Sequence, residues 1–364
     1  MNRIKVISLC VIFCLVIGVF SVSQWILPDE ELSLAERREK QQFPVLSIST
    51  LADGTFSKEL ESYLCDQFPL REEFRKLKAF VHFDILKQKD NDGVYTAEGH
   101  ISEFEERISI SSVNRFCSRI TAIYDSFIKN SDCKAYYCIV PDKNRFIAKQ
   151  NGYPGYDYED LYSRVDEQLS YMNKVEIDSL LSSDCYYLTD SHWRQEKILH
   201  VAKRINEQMG MKFNEENKEV HATSFYGVYY PRLAVDFKAD ELICIENETI
   251  LGSTAYNYET DETTGVYNTG KLSGNDAYDV FLSGAVSVIE IRNPSGYKEK
   301  ELVIFRDSFG SSLAPLILSN YSKVTLVDTR YIVPENIDDY VSFDKQDILF
   351  VYSTTLINKS ITLK

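Results

Sequence analysis

The stretch ELVIFRDSFGSSLAPLILSNYSKVTLVD, residues 301–328, contains a complete strand–helix–strand unit. Its apolar run at 301–305 predicts a buried strand, 311–320 predicts a helix, and 323–328 predicts a second strand. A strand that returns through a helix runs parallel to the first, because the crossover brings the chain back to the same end of the sheet. This stretch therefore predicts an α/β fold.

The same alternation of strands and helices continues on both sides of this unit. Strands with helices between them predict a mostly parallel sheet that is flanked by helices on both faces. The further predicted strands are 134–141, 184–188 and 347–353, and the further predicted helices are 110–130, 158–175 and 194–210.

The amino end carries the longest apolar run of the chain. Arg3 and Lys5 precede 22 uncharged residues, Val6–Leu27, and the acidic Asp29–Glu31 follow. A span of ~20 residues crosses a bilayer, and basic residues remain on the cytoplasmic side. A single-pass anchor is thus one interpretation; a cleaved signal peptide is the other, since Ser21–Ser23 resembles a cleavage site. Both place the rest of the chain outside the cell membrane.

These patterns divide the chain into three parts. Residues 1–28 are the predicted anchor or signal peptide, 29–95 a helical stalk and amino-terminal segment, and 96–364 the α/β domain. Within the last part, residues of about 215–300 are rich in Tyr, Thr, Gly and Asn and predict a β-rich insertion.

Charge and cysteine content exclude several classes of function. The net charge of −15 argues against a nucleic-acid partner, which requires clustered Lys and Arg. Eight cysteines are present, but none has CxxC spacing, so a zinc site is not expected. No other metal site and no cofactor are expected either. The six cysteines beyond the anchor fit disulfides and free thiols equally well.

Two loops carry potentially catalytic side chains. The first is VIFRDSFGSSL, at the carboxyl end of the strand 301–305. Ligands of open α/β sheets bind at this edge. Ser308 lies on the turn into the helix, where backbone N–H groups favour a negative charge, so its hydroxyl is a candidate nucleophile. The alternative is that Asp307 and the nearby serines only cap the helix.

The second loop, YYLTDSHWRQEK, contains Asp190 and His192 two positions apart. A nucleophilic serine needs a base, and the imidazole needs an acid to fix its tautomer. Residues i and i+2 of an extended segment share a face, so both side chains can reach one site. In the alternative, Asp190 or Ser191 caps the next helix and His192 is incidental. Together the two loops predict a triad of Ser308, His192 and Asp190.

The motifs of both loops, and their order, resemble the DHHW family of Gram-positive bacteria. That family is similar to the periplasmic alginate O-acetyltransferases of the SGNH hydrolase-like group. The resemblance covers nearly the whole chain past the anchor, with one departure: Ser191 stands where the family name has its first His. The motifs that carry it are LAERREKQQFP, DQFPLR, NDGVY, VPDKNRF, YYLTDSHW, FYGVYYPR, LVIFRDSFGSS and VDTRY.

The resemblance implies an SGNH hydrolase-like fold with Ser308 as nucleophile, His192 as base and Asp190 as orienting acid. It implies an O-acetyltransferase that forms an acetyl-serine and modifies a cell-envelope or secreted polysaccharide. It also implies a membrane-bound O-acyltransferase as the partner that supplies acetyl groups, and a Gram-positive type of envelope. A carbohydrate O-acetylesterase with the same triad and a non-catalytic glycan-binding envelope protein are the alternatives.

Four further residues are candidates for substrate binding. Lys143 follows a strand end, and a solvated loop lysine is its alternative. Arg306 either binds substrate or pairs with the adjacent Asp307. Trp193 either stacks on a sugar or packs in the core, and Tyr226 lies in the predicted insertion, where it lines the cleft if the insertion reaches the site.

Overall fold

The computed structural model describes residues 3–33, 35–213 and 216–364. Residues 1 and 2 of the predicted anchor, residue 34 of the predicted stalk and residue 215 of the predicted insertion lie outside the described residues. The chain forms two compact units. The first comprises the described residues up to Asp92 together with Tyr230–Asp236, and the second comprises Gly93–Tyr229 and Phe237–Lys364. The three-part division at 28/29 and 95/96 stays a prediction.

Helices and strands are numbered along the chain. The helices are α1 (Arg3–Ile26), α2 (Ile48–Ala52), α3 (Thr55–Asp66), α4 (Arg71–Phe80), α5 (Ile110–Ile123), α6 (Asn144–Ile147), α7 (Tyr158–Gln168), α8 (Leu199–Gln208), α9 (Tyr230–Leu233), α10 (Glu248–Gly252), α11 (Phe309–Ile317) and α12 (Thr354–Asn358). The strands are β1 (Leu32–Ser33), β2 (Arg38–Glu39), β3 (Val94–Ala97), β4 (His100–Glu103), β5 (Lys134–Val140), β6 (Asn173–Lys174), β7 (Lys218–Phe225), β8 (Asp240–Glu246), β9 (Thr254–Asn257), β10 (Glu262–Gly265), β11 (Val288–Arg292), β12 (Glu301–Arg306), β13 (Lys323–Val327) and β14 (Asp347–Ser353).

The first unit contains the apolar helix α1, the helices of the predicted stalk and the segment Tyr230–Asp236. α1 has 24 residues and a mean hydropathy of 2.8 over its most apolar window, so it is long and apolar enough to cross a membrane. The polar segment between α1 and α2 is fastened to α3 by Asp66, whose carboxylate accepts hydrogen bonds from Arg38 Nη1 (2.7 Å), Arg38 Nη2 (2.6 Å) and Gln41 N (2.9 Å).

The second unit is built on an eight-stranded sheet with the order β10-β9-β11-β13-β12-β14-β5-β6. The strands from β13 to β6 pair in parallel, and β11, β9 and β10 extend the sheet in antiparallel pairing. In the register of β12, Phe305 lies beside Val327 on one side and Phe350 on the other. The predicted mostly parallel sheet is confirmed.

Alternate residues of the central strands face two separate layers of core. Ile304 contributes to a core formed with α8 and α11, whereas Phe305 contributes to one formed with α5, α7 and α12. Both layers are fully buried because helices cover both faces, and this explains why the central strands are almost continuously apolar. Each fully buried Ile or Phe stabilises the fold by about 1.5–3 kcal/mol.

Two predictions about local structure are corrected. Residues 184–188 form a 3-10 turn, Ser183–Cys185, and then a loop; only a single bridge joins Tyr186 to Trp193. The aromatic residues that favoured a strand are buried in this loop instead, because tertiary burial overrides strand propensity. The helix predicted at 194–210 is α8, preceded by a 3-10 turn, Gln195–Lys197.

The predicted insertion is only partly separate. β7 and β8 form their own antiparallel hairpin, whereas β9, β10 and β11 complete the edge of the central sheet. The cysteines of the chain, all of which lie in the described ranges, are free thiols.

Candidate active site

Ser308 lies in the turn between β12 and α11, at the carboxyl edge of the sheet. The Asp307 carboxylate shapes this turn: it accepts hydrogen bonds from Phe309 N (3.0 Å) and from Ser353 N (2.8 Å) at the end of β14. Gly310 lets the turn approach β12, because a Cβ atom there would lie 2.6 Å from Cβ of Arg306. Asp307 thus satisfies the backbone at the helix start, and the Ser308 side chain makes no capping bond.

The structure brings Ser308, His192 and Asp190 together. His192 Nε2 lies 2.7 Å from Ser308 Oγ, and His192 Nδ1 lies 2.6 Å from Asp190 Oδ1. A carboxylate can only accept, so Nδ1 carries the proton in this pair and Nε2 is left to accept from the serine hydroxyl. The two partners come from loops 116 positions apart in the chain.

Asp190 is fully buried and is satisfied by several donors. Its Oδ1 also accepts from His192 N (3.0 Å), and its Oδ2 accepts from Val228 N (2.9 Å). Burial acts to raise the pKa of this carboxyl, but its electrostatic attraction to His192 and its hydrogen bonds from His192 and from backbone donors outweigh burial and lower the pKa below its usual value. Asp190 is therefore an anion that orients His192.

Tyr278 fixes the plane of the imidazole. Its ring lies 3.9 Å from the His192 ring at an angle of 7°, and its hydroxyl lies 2.8 Å from Ser312 Oγ. The same hydroxyl donates to Ser308 O at 3.3 Å. Tyr278 lies 86 positions beyond His192 in the region read as an insertion, so no local pattern linked it to the site.

The loop that carries Asp190 is supported by Asp240 and Gly227. The Asp240 carboxylate accepts from Leu188 N (2.6 Å), Thr189 N (2.7 Å) and Thr189 Oγ1 (2.5 Å). Gly227 N donates to Thr189 Oγ1 at 2.7 Å, and a Cβ atom at this glycine would lie 2.2 Å from Cβ of Asp190. No sequence pattern pointed to a role for Asp240. Gly227 lies in the FYGVYYPR motif, and this motif was the one feature of the sequence that could have pointed to Gly227 as a site residue.

Two predicted substrate-binding residues lie in the interior. Trp193 is fully buried and its Nε1 donates to Ser312 Oγ at 2.9 Å, so the predicted sugar-stacking wall is replaced by core packing. Arg306 is 1% exposed and its Nη1 lies 3.4 Å from Asp328, so it pairs with Asp328 and not with Asp307. Both are buried because α11 packs over them.

Of the other two candidates, Lys143 is also an interior residue and Tyr226 lies nearer the surface. Lys143 is 1% exposed; its Nζ donates to Tyr187 O (2.8 Å) and Leu188 O (3.3 Å), the carbonyls just before the Asp190 loop. Burial lowers the pKa of Lys143 to about 7. Tyr226 is half-exposed and its hydroxyl donates to Phe237 O at 3.1 Å. Lys143 is thus a support for the loop's backbone, not a solvated residue.

The half-buried Ser308 opens into a pocket of about 550 Å³. Arg330, Tyr331 and Lys359 also line this pocket, and the four predicted substrate-binding residues are not among the described residues that line it. Arg330 is oriented by two bonds to Asp328, from Nε (2.9 Å) and Nη2 (2.6 Å). The pocket can accept a small acyl group beside the serine hydroxyl.

Metal ligation is not evident in the described parts of the chain. Across residues 3–33, 35–213 and 216–364, no group of three or more His, Cys, Asp and Glu side chains is placed to hold a metal ion.

Solved structures with the same architecture identify the fold. A DHHW family protein from Eubacterium siraeum aligns with a TM-score of 0.56 at 17% identity, over 74% of this chain and 93% of that one. Bacillus cereus PatB1, solved with a sulfonyl adduct, aligns with a TM-score of 0.58 at 15% identity, over 72% and 95%. This chain has their fold. The predicted likeness to the DHHW family is thereby confirmed at the level of structure, and so is the predicted α/β fold class with its mostly parallel sheet.

The O-acetyltransferase domain of Pseudomonas putida AlgJ aligns more weakly, with a TM-score of 0.43 at 9% identity over 73% of this chain and 92% of that one. The fold assignment depends on the DHHW family protein and PatB1. No protein-family model and no curated protein sequence matches the chain.

Proposed function

We propose that this chain is an extracytoplasmic, membrane-anchored O-acetyltransferase that modifies a cell-envelope or secreted polysaccharide. Ser308 is the nucleophile, His192 the general base and Asp190 the orienting acid. The observation that carries the proposal is the continuous hydrogen-bonded series from Asp190 Oδ1 through the imidazole to Ser308 Oγ, with bonds of 2.6 and 2.7 Å, at the wall of a pocket. This is the geometry that acyl transfer through a serine ester requires.

The proposed reaction has two balanced halves. His192 Nε2 accepts the hydroxyl proton while Ser308 Oγ attacks the acetyl carbonyl carbon; the donor's oxygen then takes that proton and leaves, and acetyl-Ser308 remains. A glycan hydroxyl next gives its proton to Nε2 and attacks the ester. The acetyl group moves to the glycan oxygen, and the proton returns to Ser308.

The negative oxygen of each tetrahedral intermediate needs donors that are already in place. We infer that the Ser308 N–H is one of them, since it lies at the start of α11 and donates to no other described residue. Arg330 lies in the wall of the same pocket, oriented by Asp328, and contributes positive charge there.

The donor must reach the site from the membrane, because acetyl-CoA is cytoplasmic. We infer that a membrane-bound O-acyltransferase supplies acetyl groups and that α1 remains attached as an anchor. Two contacts made by a residue before Ser21–Ser23 support retention of α1: the ring of Phe20 lies 5.2 Å from that of Phe68 and 5.6 Å from that of Phe74. Residues at the end of α1 are thus part of the packing of the first unit.

The proposal is tested by labelling the full-length protein with an aryl sulfonyl fluoride, a choice suggested by the sulfonyl adduct of PatB1. Intact-mass spectrometry should find one adduct on the wild type and none on Ser308→Ala, with the thermal midpoint unchanged. Equal labelling of the two proteins would show that Ser308 is not the nucleophile and would favour a non-catalytic glycan-binding role.

Transfer and hydrolysis use the same triad and are distinguished by the acceptor. The purified protein is given an aryl acetate with and without a hydroxyl-rich glycan, and acetyl-glycan and free acetate are both quantified. We expect the glycan to divert acetyl groups from water. Free acetate alone, at a rate that glycans leave unchanged, would assign the protein as an esterase.

A further inference from the structure

Helix α4 in the first unit has one face packed on protein. Ala79 is fully buried on this face. Beside it, Arg75 donates to Pro231 O and pairs through Nη1 with Glu72 at 2.8 Å. The segment Tyr230–Asp236 belongs to the same compact unit, so this side of the helix is covered within the unit itself.

The opposite face of α4 is apolar and exposed. Leu70, Phe74 and Leu77 are 65%, 44% and 53% exposed. Phe74 and Leu77, spaced i and i+3, lie on one stripe of the helix, about half a turn away from Ala79. Leu70 immediately precedes the first turn of α4 as its N-cap residue. We call these three residues the α4 stripe. A stripe of large apolar side chains on a helix whose other face is already packed is typical of a surface that binds something apolar.

The anchor helix indicates what covers the α4 stripe. The ring of Phe20 in α1 lies 5.6 Å from that of Phe74 and 5.2 Å from that of Phe68, just before α4. Phe20 is seven residues before Leu27, the end of the uncharged run. At ~1.5 Å per residue, Phe20 is ~10 Å inside that end. Helices that lie in a membrane interface bury their apolar face by a similar ~5–10 Å.

We propose that the α4 stripe inserts into the outer leaflet of the bilayer, beside the point where α1 leaves it. The inference rests on the proposed anchoring by α1. Phe74 joins the stripe to α1 at the depth of the acyl chains, so the lipid that surrounds α1 also meets Leu70 and Leu77. The first unit then has two membrane contacts, a spanning helix and an interfacial helix, which together fix its orientation on the membrane.

The test uses tryptophan fluorescence of the full-length protein in phosphatidylcholine nanodiscs. The parent carries Trp25→Phe, and its remaining Trp193 is fully buried. Leu77→Trp then reports on the stripe. Lys76→Trp is the matched control, an exposed neighbour on the same helix that points away from the stripe and whose surface ion pair with Asp236 contributes little. Lipids brominated near the carboxyl end of their acyl chains quench tryptophans at that depth.

We expect brominated lipid to reduce the Leu77→Trp emission about twofold more than that of Lys76→Trp, as for an interfacial helix. Wild-type protein, which retains Trp25, reports on α1 in the same nanodiscs. Equal quenching of Leu77→Trp and Lys76→Trp, with Trp25 quenched, would overturn the inference and leave the anchor intact. Emission of Leu77→Trp that depends on protein concentration would assign the stripe to a second copy. An unquenched Trp25 would overturn the anchor and the inference together.

Discussion

The ring of Tyr278 lies flat against the imidazole of His192, with the centroids 3.9 Å apart and the planes 7° apart. The imidazole is bonded at Nδ1 to Asp190 and at Nε2 to Ser308, so its third support is this aromatic surface. Phe309 approaches the same ring at 5.0 Å. Tyr278 is thus a positioning residue for the proposed base.

Removal of this ring should misplace His192. We expect Tyr278→Leu to lower kcat for acetyl transfer by about 10–100-fold, since a displacement of ~1 Å at a reacting group has that effect. Tyr278→Phe retains the stacked ring and should lose much less. Kinetics with an aryl acetate, with thermal midpoints measured alongside, provide the test. If a folded Tyr278→Leu protein had the wild-type kcat, Tyr278 would not be a positioning residue.

Asp190→Asn should preserve the shape of the loop and lower kcat about 10³–10⁴-fold, because the amide no longer holds His192 in the tautomer that accepts the serine proton. Sulfonyl labelling of Ser308 should slow in parallel. The exposed Asp184, in the turn before the same loop, supplies the control Asp184→Asn, for which we expect no change. A fast Asp190→Asn enzyme would mean that another group orients the imidazole.

Gly227→Ala should destabilise the Asp190 loop. The added Cβ would lie 2.2 Å from Cβ and 2.4 Å from Cα of Asp190, and neither atom can move without the backbone. We expect a loss of about 1–3 kcal/mol, as for overpacked sites, with reduced activity. Gly155→Ala is the matched control, because its nearest neighbour, Cβ of Ala148, would be at 3.6 Å. Urea denaturation compares the two; equal stability would show that the loop accommodates the methyl group.

Lys143 should give stability a characteristic pH dependence. Burial lowers its pKa from 10.5 to about 7 in the folded protein. Between these values the unfolded chain binds more protons than the folded one at this position, so its contribution favours folding more as pH rises. From about pH 7 to about pH 9, the stability of the wild type should rise relative to Lys143→Met, by at most about 1.4 kcal/mol per pH unit. Thermal midpoints followed by Trp193 fluorescence, with Trp25→Phe in both proteins, measure this difference; parallel pH profiles of the two proteins would contradict it.

The alternation of apolar strands and amphipathic helices predicted much of the central sheet correctly. β5, β12, β13 and β14 lie within a residue or two of their predicted positions, because both faces of these strands are covered and an all-apolar run is then required. The predicted strand 184–188 was wrong, because an apolar run is also required where a loop is buried. Its aromatic residues are buried in a loop, and a short apolar run does not reveal which structure buries it.

The sequence by itself determined the chemistry available at the sheet edge: a serine in one strand-to-helix turn and an Asp-x-His pair in another loop. Only the tertiary structure decided that these loops meet, that Trp193 and Arg306 are interior residues, and that Tyr278, Asp240 and Gly227 support the site. The physical reason is the distance along the chain over which the contacts act. Strand and helix patterns arise from contacts within a few residues, whereas the surroundings of each site residue come from segments tens of positions to more than a hundred positions away, whose packing no local pattern records.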